Sequence, residues 1–168
     1  YSPLALSEFR ATKVGLVAPR ERQRLDDLAT KDPAAWANMF PEGWAAFRRE
    51  RLTTLVRRLH DAAKSARPGV IVSAAVMPNA DVARDQHFQD WSAWASAGLL
   101  DAVCPMAYAT DVSDFAEQVN RARSRAGMTP VWAGIGAWQL SIDRTADHVR
   151  AARKAAAAGF LLFSYDAL

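Results

Sequence analysis

Cysteine and histidine are scarce in this sequence, which excludes several kinds of site. The chain of 168 residues has 1 cysteine, Cys104, so no disulfide can form within it. The 3 histidines lack the spacing of metal ligands, and the sequence therefore predicts no metal site. A glycine-rich phosphate loop is also missing, because Gly134 and Gly136 are followed by no third glycine at the required spacing. We expect no cofactor.

Long hydrophobic runs are absent as well. No stretch reaches the roughly 18 apolar residues that a membrane helix needs, so the sequence predicts no membrane span. The opening residues Tyr1 to Leu4 lack the basic and apolar regions of a signal peptide, and the chain does not begin with methionine. We therefore expect further sequence upstream, including any export signal.

A strong excess of charge of one sign is also lacking. The formal net charge is +3, and the chain is 51% hydrophobic and 23% charged, which is typical of a folded globular domain. We interpret the basic residues, such as those in the segment 48–51, as a solvated helix surface, with attraction to an anionic polymer as the alternative. Because they are not interleaved with aromatic residues, the sequence predicts no nucleic-acid binding.

Four short apolar runs recur at intervals of about thirty residues, the length of one unit in a (β/α)8 barrel. They span Val70–Val76, Leu99–Met106, Pro130–Gly136 and Phe160–Ser164. The runs are nearly continuous rather than alternating, which predicts parallel strands buried on both faces. Helical patterns precede them, at Trp44–Ala66, Gln89–Ala97, Phe115–Ala126 and Ile142–Ala158. The glycines expected to end these helices in a left-handed conformation are Gly69, Gly98, Gly127 and Gly159.

Helices that alternate with strands predict an α/β fold of parallel βα repeats. The period favours a TIM (β/α)8 barrel, and a doubly wound sheet or a self-contained four-stranded domain is the alternative. Residues 44–168 are interpreted as four βα repeats. Residues 1–43 are rich in charge and proline, and we expect a long loop region there, with a short helix at Leu4–Arg10.

Residues that follow the predicted strands are the site candidates, because barrel enzymes place their active sites there. Aromatic rings stack on the apolar faces of sugars, while amide, hydroxyl and carboxyl groups bond to sugar hydroxyls. The predicted substrate-binding residues are Tyr108, Trp138, Asn79, Gln139 and Tyr165, and the predicted catalytic carboxylates are Asp166 and Asp111. Structural interpretations stay open: Asp111 fits a helix N-cap, Asn79 a turn and Trp138 a ring of the core.

Several short segments also follow one another in a specific order along the chain. They are Ser73–Val76 with Pro78–Asn79, Gln89–Trp94, Gly98–Asp101, Pro105–Tyr108, Gly134–Gly136 and Gly159–Asp166. Together they resemble the glycosyl hydrolase-like family 10, as does the opening Tyr1–Pro3, and the resemblance covers nearly the whole chain.

The resemblance implies a bacterial glycoside hydrolase built on a (β/α)8 barrel, with this chain as its C-terminal half, about strands 5 to 8. It implies a polysaccharide or oligosaccharide substrate, such as peptidoglycan glycan strands, and a periplasmic or extracellular location. It also implies a sugar-facing role for Tyr108 and, by position, site roles for Asn79, Trp138 and Asp166.

Glycoside hydrolysis by general acid–base catalysis needs two carboxyl groups around the scissile bond. No glutamate lies at the four predicted strand ends. We therefore expect the principal catalytic acid in the missing N-terminal half, which makes the chain an incomplete enzyme. The alternative function is a non-catalytic carbohydrate-binding or pseudoenzyme domain.

Overall fold

The computed structural model describes residues 2–164 and divides the chain into two compact units at the Arg51–Leu52 bond. No helix among these described residues has the length and apolar character needed to cross a membrane.

The first unit is helical. It contains α1 (Pro3–Lys13), α2 (Pro19–Ala29), α3 (Ala35–Met39) and the start of α4 (Pro41–Ala66). Its apolar cluster is centred on Phe9, whose ring meets the ring of Trp44 edge to face at 5.1 Å. The carboxylate of Asp26 accepts two hydrogen bonds from Arg10, at 2.7 and 2.6 Å, which lower its pKa to about 2.

The prediction of a long loop region at residues 1–43 was wrong in its secondary structure, because most of these residues lie in helices. The stretch from Pro19 to Pro41 was expected to be rich in helix interruptions, but both prolines stand in the first turn of a helix. A proline is tolerated there because the first turn has no partner for its backbone N–H. The predicted short helix at Leu4–Arg10 lies inside the longer α1.

The second unit consists of the rest of α4 and a series of strands and helices. Its elements are β1 (Ser73–Val76), α5 (Ala80–Gln86), α6 (Trp91–Ser96), β2 (Ala102–Pro105), α7 (Val112–Ala126), β3 (Trp132–Gly136), α8 (Ile142–Lys154) and β4 (Gly159–Phe163). β1 pairs with β2, and β3 pairs with β4, both in parallel. Parallel bridges at Val103–Val131 and Met106–Gly134 link β2 to β3. All four strands therefore end at the same edge, as the α/β prediction requires.

The burial of the strands differs between the middle and the edges. β2 is buried throughout and β3 is buried from Ala133 onward, as predicted. The prediction was wrong for β1 and β4, in which exposed residues alternate with more buried ones. In β4, Phe160 and Leu162 are 39% and 48% exposed, because no helix follows this strand within residues 2–164 to cover that face.

Two of the four predicted helix-ending glycines have the expected backbone. Gly98 and Gly127 have positive φ angles of 68° and 61°. The prediction was wrong for Gly69 and Gly159. After α8 the left-handed position belongs to Ala156, with φ 53°, whereas Gly159 lies in β4. A Cβ on Gly159 would come within 3.0 Å of the Trp132 ring, so close packing rather than helix capping explains this glycine.

Two apolar clusters fill the space between the strands and the helices. One joins Val76 and Val103 to Trp91 and Trp94, and the Trp94 indole N–H donates to the Thr53 hydroxyl at 2.8 Å. The other cluster is built from α7, β3 and α8, and includes Phe115, Val119, Ile135 and Ala152. These clusters fix the relative positions of the strand ends.

Candidate functional site

An aromatic cluster lies where three of the strands end. It consists of Tyr108 after β2, Trp138 after β3 and Phe163 at the end of β4. The ring of Tyr108 meets Trp138 edge to face at 4.8 Å and meets Phe163 at 5.4 Å. Trp138 is 44% exposed, whereas Tyr108 is half-buried, and burial raises the pKa of its phenol. The cluster therefore leaves part of the Trp138 side chain accessible and packs it against the more buried ring of Tyr108.

Two glycines of β3, Gly134 and Gly136, lie directly against rings of the aromatic cluster. A Cβ on Gly136 would lie 3.1 Å from the Trp138 ring and 2.8 Å from the side-chain nitrogen of Gln139. A Cβ on Gly134 would lie 3.1 Å from the Phe163 ring and 2.7 Å from the carbonyl oxygen of Pro105. The glycine pair in β3 thus lets two aromatic rings approach the backbone closely.

The segment between β2 and α7, which carries Tyr108, is bound through three successive carbonyl groups. Gln139 Nε2 donates to the carbonyl of Tyr108 at 2.6 Å. His148 Nε2 lies 3.1 Å from the carbonyl oxygen of Ala109, and Arg144 Nη2 donates to that of Thr110 at 2.6 Å. All three side chains come from residues 139–148, which follow β3.

His148 has an unusual position for a histidine. It is 1% exposed, and its ring packs against Phe115 with a centroid distance of 4.9 Å. Its second nitrogen, Nδ1, lies 2.8 Å from the carbonyl oxygen of Arg144. Both ring nitrogens therefore face carbonyl oxygens, and a neutral imidazole can donate to one of them at a time.

Asp111 is the N-cap of α7. One of its oxygens accepts hydrogen bonds from the backbone N–H groups of Ser113 and Asp114, at 2.8 and 3.1 Å. The hydrogen bond from the Ser113 hydroxyl, followed by these backbone bonds, lowers the pKa of the Asp111 carboxyl. A general acid needs a raised pKa, so the site favours Asp111 as an ionised carboxylate rather than as a proton donor.

Asn79 is also a helix cap. Its side-chain oxygen accepts hydrogen bonds from the N–H groups of Asp81 and Val82, both at 3.0 Å, and so begins α5. Two residues before Asn79, the backbone of Met77 makes two hydrogen bonds. Its N–H donates to the side-chain oxygen of Gln89 at 3.2 Å, and its carbonyl oxygen accepts from the indole N–H of Trp91 at 3.0 Å. α5 was not predicted from the sequence.

The structure therefore brings some of the predicted site residues together. Tyr108 and Trp138 touch, and Gln139 reaches the same place through the backbone of Tyr108. Tyr165 and Asp166 lie outside the described residues, and their roles stay predictions. Within residues 2–164, no group of three or more histidine, cysteine, aspartate or glutamate side chains is arranged to hold a metal ion.

Three residues of this region were not predicted from the sequence. Phe163 was read as part of a buried strand, whereas its ring contributes to the aromatic cluster. Arg144 and His148 were read as ordinary helix residues. Their spacing of four residues, which puts both on one face of α8, was the one signal in the sequence that pointed to a shared role.

The parallel βα repeats place the chain among the α/β proteins. The aromatic cluster lies at the ends of the strands, which is where barrel enzymes place their active sites. Comparison with known families narrows this class. The model of the family described as Glycosyl hydrolase-like 10 matches residues 19–137, well over half of the chain. The chain belongs to this family, as the sequence resemblance predicted. No curated protein matches it.

Proposed function

We propose that this chain forms the C-terminal half of a TIM-barrel glycoside hydrolase that acts on a bacterial envelope glycan, such as peptidoglycan glycan strands. The observation that carries the proposal is the aromatic cluster of Tyr108, Trp138 and Phe163 at the shared edge of parallel strands. Membership of the glycosyl hydrolase-like family supports a sugar substrate.

The chemistry of the aromatic cluster suits a sugar. The exposed indole of Trp138 offers an apolar face on which the C–H groups of a pyranose ring can stack. Tyr108 beside it supplies a phenol hydroxyl, which can donate and accept hydrogen bonds with sugar hydroxyls. An apolar face next to a few polar groups is the usual composition of a carbohydrate site.

The edges of the sheet support the half-barrel part of the proposal. Among residues 2–164, β1 pairs with β2 alone and β4 pairs with β3 alone, so each has one unpaired edge. Unpaired edges and the exposed apolar side chains of β4 are features that proteins normally cover. Further strands pairing with β1 and β4 would complete a barrel.

The proposed reaction is hydrolysis through an oxocarbenium-like transition state. One carboxylic acid donates a proton to the leaving glycosidic oxygen while the bond to the anomeric carbon breaks, and a second carboxylate stabilises or attacks that carbon. Water then supplies the hydroxyl group of the new reducing end, and its other proton passes to a carboxylate of the pair. We assign the principal acid to the N-terminal half and an assisting role to Asp166 or to the ionised Asp111, in the bacterial periplasm or outside the cell.

The test is release of reducing ends by the full-length protein from peptidoglycan glycan strands stripped of peptides and from chitin oligosaccharides. We expect activity on at least one of them, and a loss of about tenfold or more in the Trp138→Ala variant because a stacking contact is removed. Met128→Ala, at a residue that is 99% exposed near the opposite end of β3, is the matched control. Equal loss in both variants, or none in either, contradicts a site at the aromatic cluster.

A non-catalytic carbohydrate-binding protein is the second candidate. It is favoured by the lowered pKa of the Asp111 carboxyl, which makes this residue a poor general acid. Glycan binding by the full-length protein without release of reducing ends on any of the tested glycans would establish this alternative.

A further inference from the structure

We propose that Gln139, Arg144 and His148 act as a carbonyl clasp that positions Tyr108 for glycan binding. This inference rests on the proposed function and adds three positioning residues to it. None of the three needs to touch the sugar, because each acts through the backbone of the segment 108–110.

The clasp is continuous along the backbone. Three consecutive carbonyl groups, those of Tyr108, Ala109 and Thr110, each meet a different side chain, at 2.6, 3.1 and 2.6 Å. A segment that leaves a strand has no ladder partner, and its carbonyl groups are usually left to water. Here protein groups replace the water, which limits the backbone of this segment to one conformation.

Each of the three contacts has a property that helps to hold the segment 108–110 in place. The guanidinium of Arg144 makes a charge-assisted hydrogen bond, which is stronger than one between neutral groups. His148 is buried at 1% exposure, so water does not compete for its contact with Ala109. Gln139 bonds to the carbonyl of Tyr108 itself, next to the ring that the clasp positions.

The positions of the three clasp side chains in the chain link Tyr108 to Trp138. Gln139 directly follows Trp138, and Arg144 and His148 lie on α8, which begins shortly afterwards. Holding the segment 108–110 to this part of the chain therefore fixes Tyr108 relative to Trp138. The edge-to-face contact at 4.8 Å is the geometry that results, and preorganisation of this kind lowers the cost of ordering a site when ligand binds.

The experiment measures the position of the Tyr108 ring directly. The full-length protein is labelled with 3-fluorotyrosine, and the fluorine resonance of Tyr108 is assigned by its loss in Tyr108→Phe. Ring currents from Trp138 and Phe163 should shift this resonance away from its position in the denatured protein. In Gln139→Met and Arg144→Met, which remove donors from exposed side chains, we expect it to move towards the denatured position.

Matched variants separate the clasp from general damage to α8. Arg150→Met removes an arginine from the same helix whose bond is to Asp147, so it should leave the Tyr108 resonance unchanged. His148→Gln keeps a donor near the position of Nε2 and should preserve the resonance, whereas His148→Phe keeps an aromatic ring without a donor and should shift it. The affinity for the N-acetylglucosamine tetramer should fall about tenfold in Arg144→Met and stay constant in Arg150→Met.

The outcomes distinguish this inference from the proposed function. A Tyr108 resonance that is the same in Gln139→Met, Arg144→Met and the unmodified protein overturns the clasp, whatever the glycan affinity. A shifted resonance in these variants, in a protein that neither binds nor cleaves any of the tested glycans, supports the clasp and overturns the proposed function. A shifted resonance together with weaker binding supports both.

Discussion

At the scale of single residues, Gly136 determines how closely the Trp138 ring approaches β3. A Cβ at this position would come within 3.1 Å of the ring and 2.8 Å of the Gln139 side-chain nitrogen. In Gly136→Ala we expect both groups to move, because contacts this short force a shift, and we expect the affinity for a chitin oligosaccharide to fall about tenfold. Isothermal titration of the full-length variant measures the affinity.

The control for this prediction is Gly69→Ala. No atom lies within 4 Å of a Cβ at Gly69, and its backbone φ is not positive, so an alanine fits there without strain. Unchanged affinity in Gly136→Ala would mean that the position of Trp138 does not control glycan binding.

The proximity of Tyr108 and Trp138 was predictable because each lies two residues beyond an apolar run, at the edge where neighbouring parallel strands end, and the structure places their rings in contact. Their roles in substrate binding stay predictions. The close packing of aromatic rings against Gly134 and Gly136 was not predictable, because a glycine in the sequence does not indicate which ring will pack against it. His148 was also out of reach, because a histidine in the middle of a helix reads as a core or surface residue until the helix is placed beside its neighbours.

At the scale of elements, the strands were predictable because the apolar runs recur at the period of a βα unit and are bounded by glycine and proline. α5 was missed because a helix of 7 residues carries too few turns to show an apolar period. The end of α8 was assigned to Gly159 because glycine is the usual left-handed residue there, but Ala156 has that role.

The end of α8 gives a prediction for stability. Ala156 has φ 53°, which brings the Cβ of an L-residue too close to the backbone, and its neighbour Ala157 closes the helix with a bond to the carbonyl of Ala152 at 3.0 Å. Glycine adopts this conformation without that penalty. We expect Ala156→Gly to raise the free energy of unfolding by about 0.5–1 kcal/mol, as measured by urea denaturation.

Ala158→Gly provides the comparison for this prediction. Ala158 is exposed and its φ is not positive, so glycine there adds only flexibility to the unfolded chain and should lower the free energy of unfolding. If Ala156→Gly destabilises the protein as much as Ala158→Gly does, strain at the end of α8 is not the cause.

At the scale of the whole molecule, the sequence predicted the α/β class, the parallel strands and the family. The repeat length predicted the α/β class and the parallel strands, and the ordered set of short segments predicted the family. Exposure of the outer strands was not predictable from their composition. A continuous apolar run indicates that both faces of a strand are covered in the complete protein. It does not indicate whether the elements that cover them lie among the described residues.

The exposed face of β4 tests the half-barrel proposal in the complete protein. In a (β/α)8 barrel a helix covers the outer face of each strand, so Leu162, which is 48% exposed here, should be buried in the full-length molecule. Cys104, the one cysteine of this chain, is buried, and burial also raises the pKa of its thiol, so it should react slowly.

We therefore expect a thiol reagent to label Leu162→Cys at least about tenfold more slowly than Met128→Cys in the full-length protein. Met128 is 99% exposed in a turn between α7 and β3, where barrel completion should leave it accessible. A variant without Cys104 measures the background, and labelling of both variants under denaturing conditions shows that each thiol is intact. Equal rates in the folded protein would mean that the outer face of β4 stays open, which a strand of a closed (β/α)8 barrel does not allow.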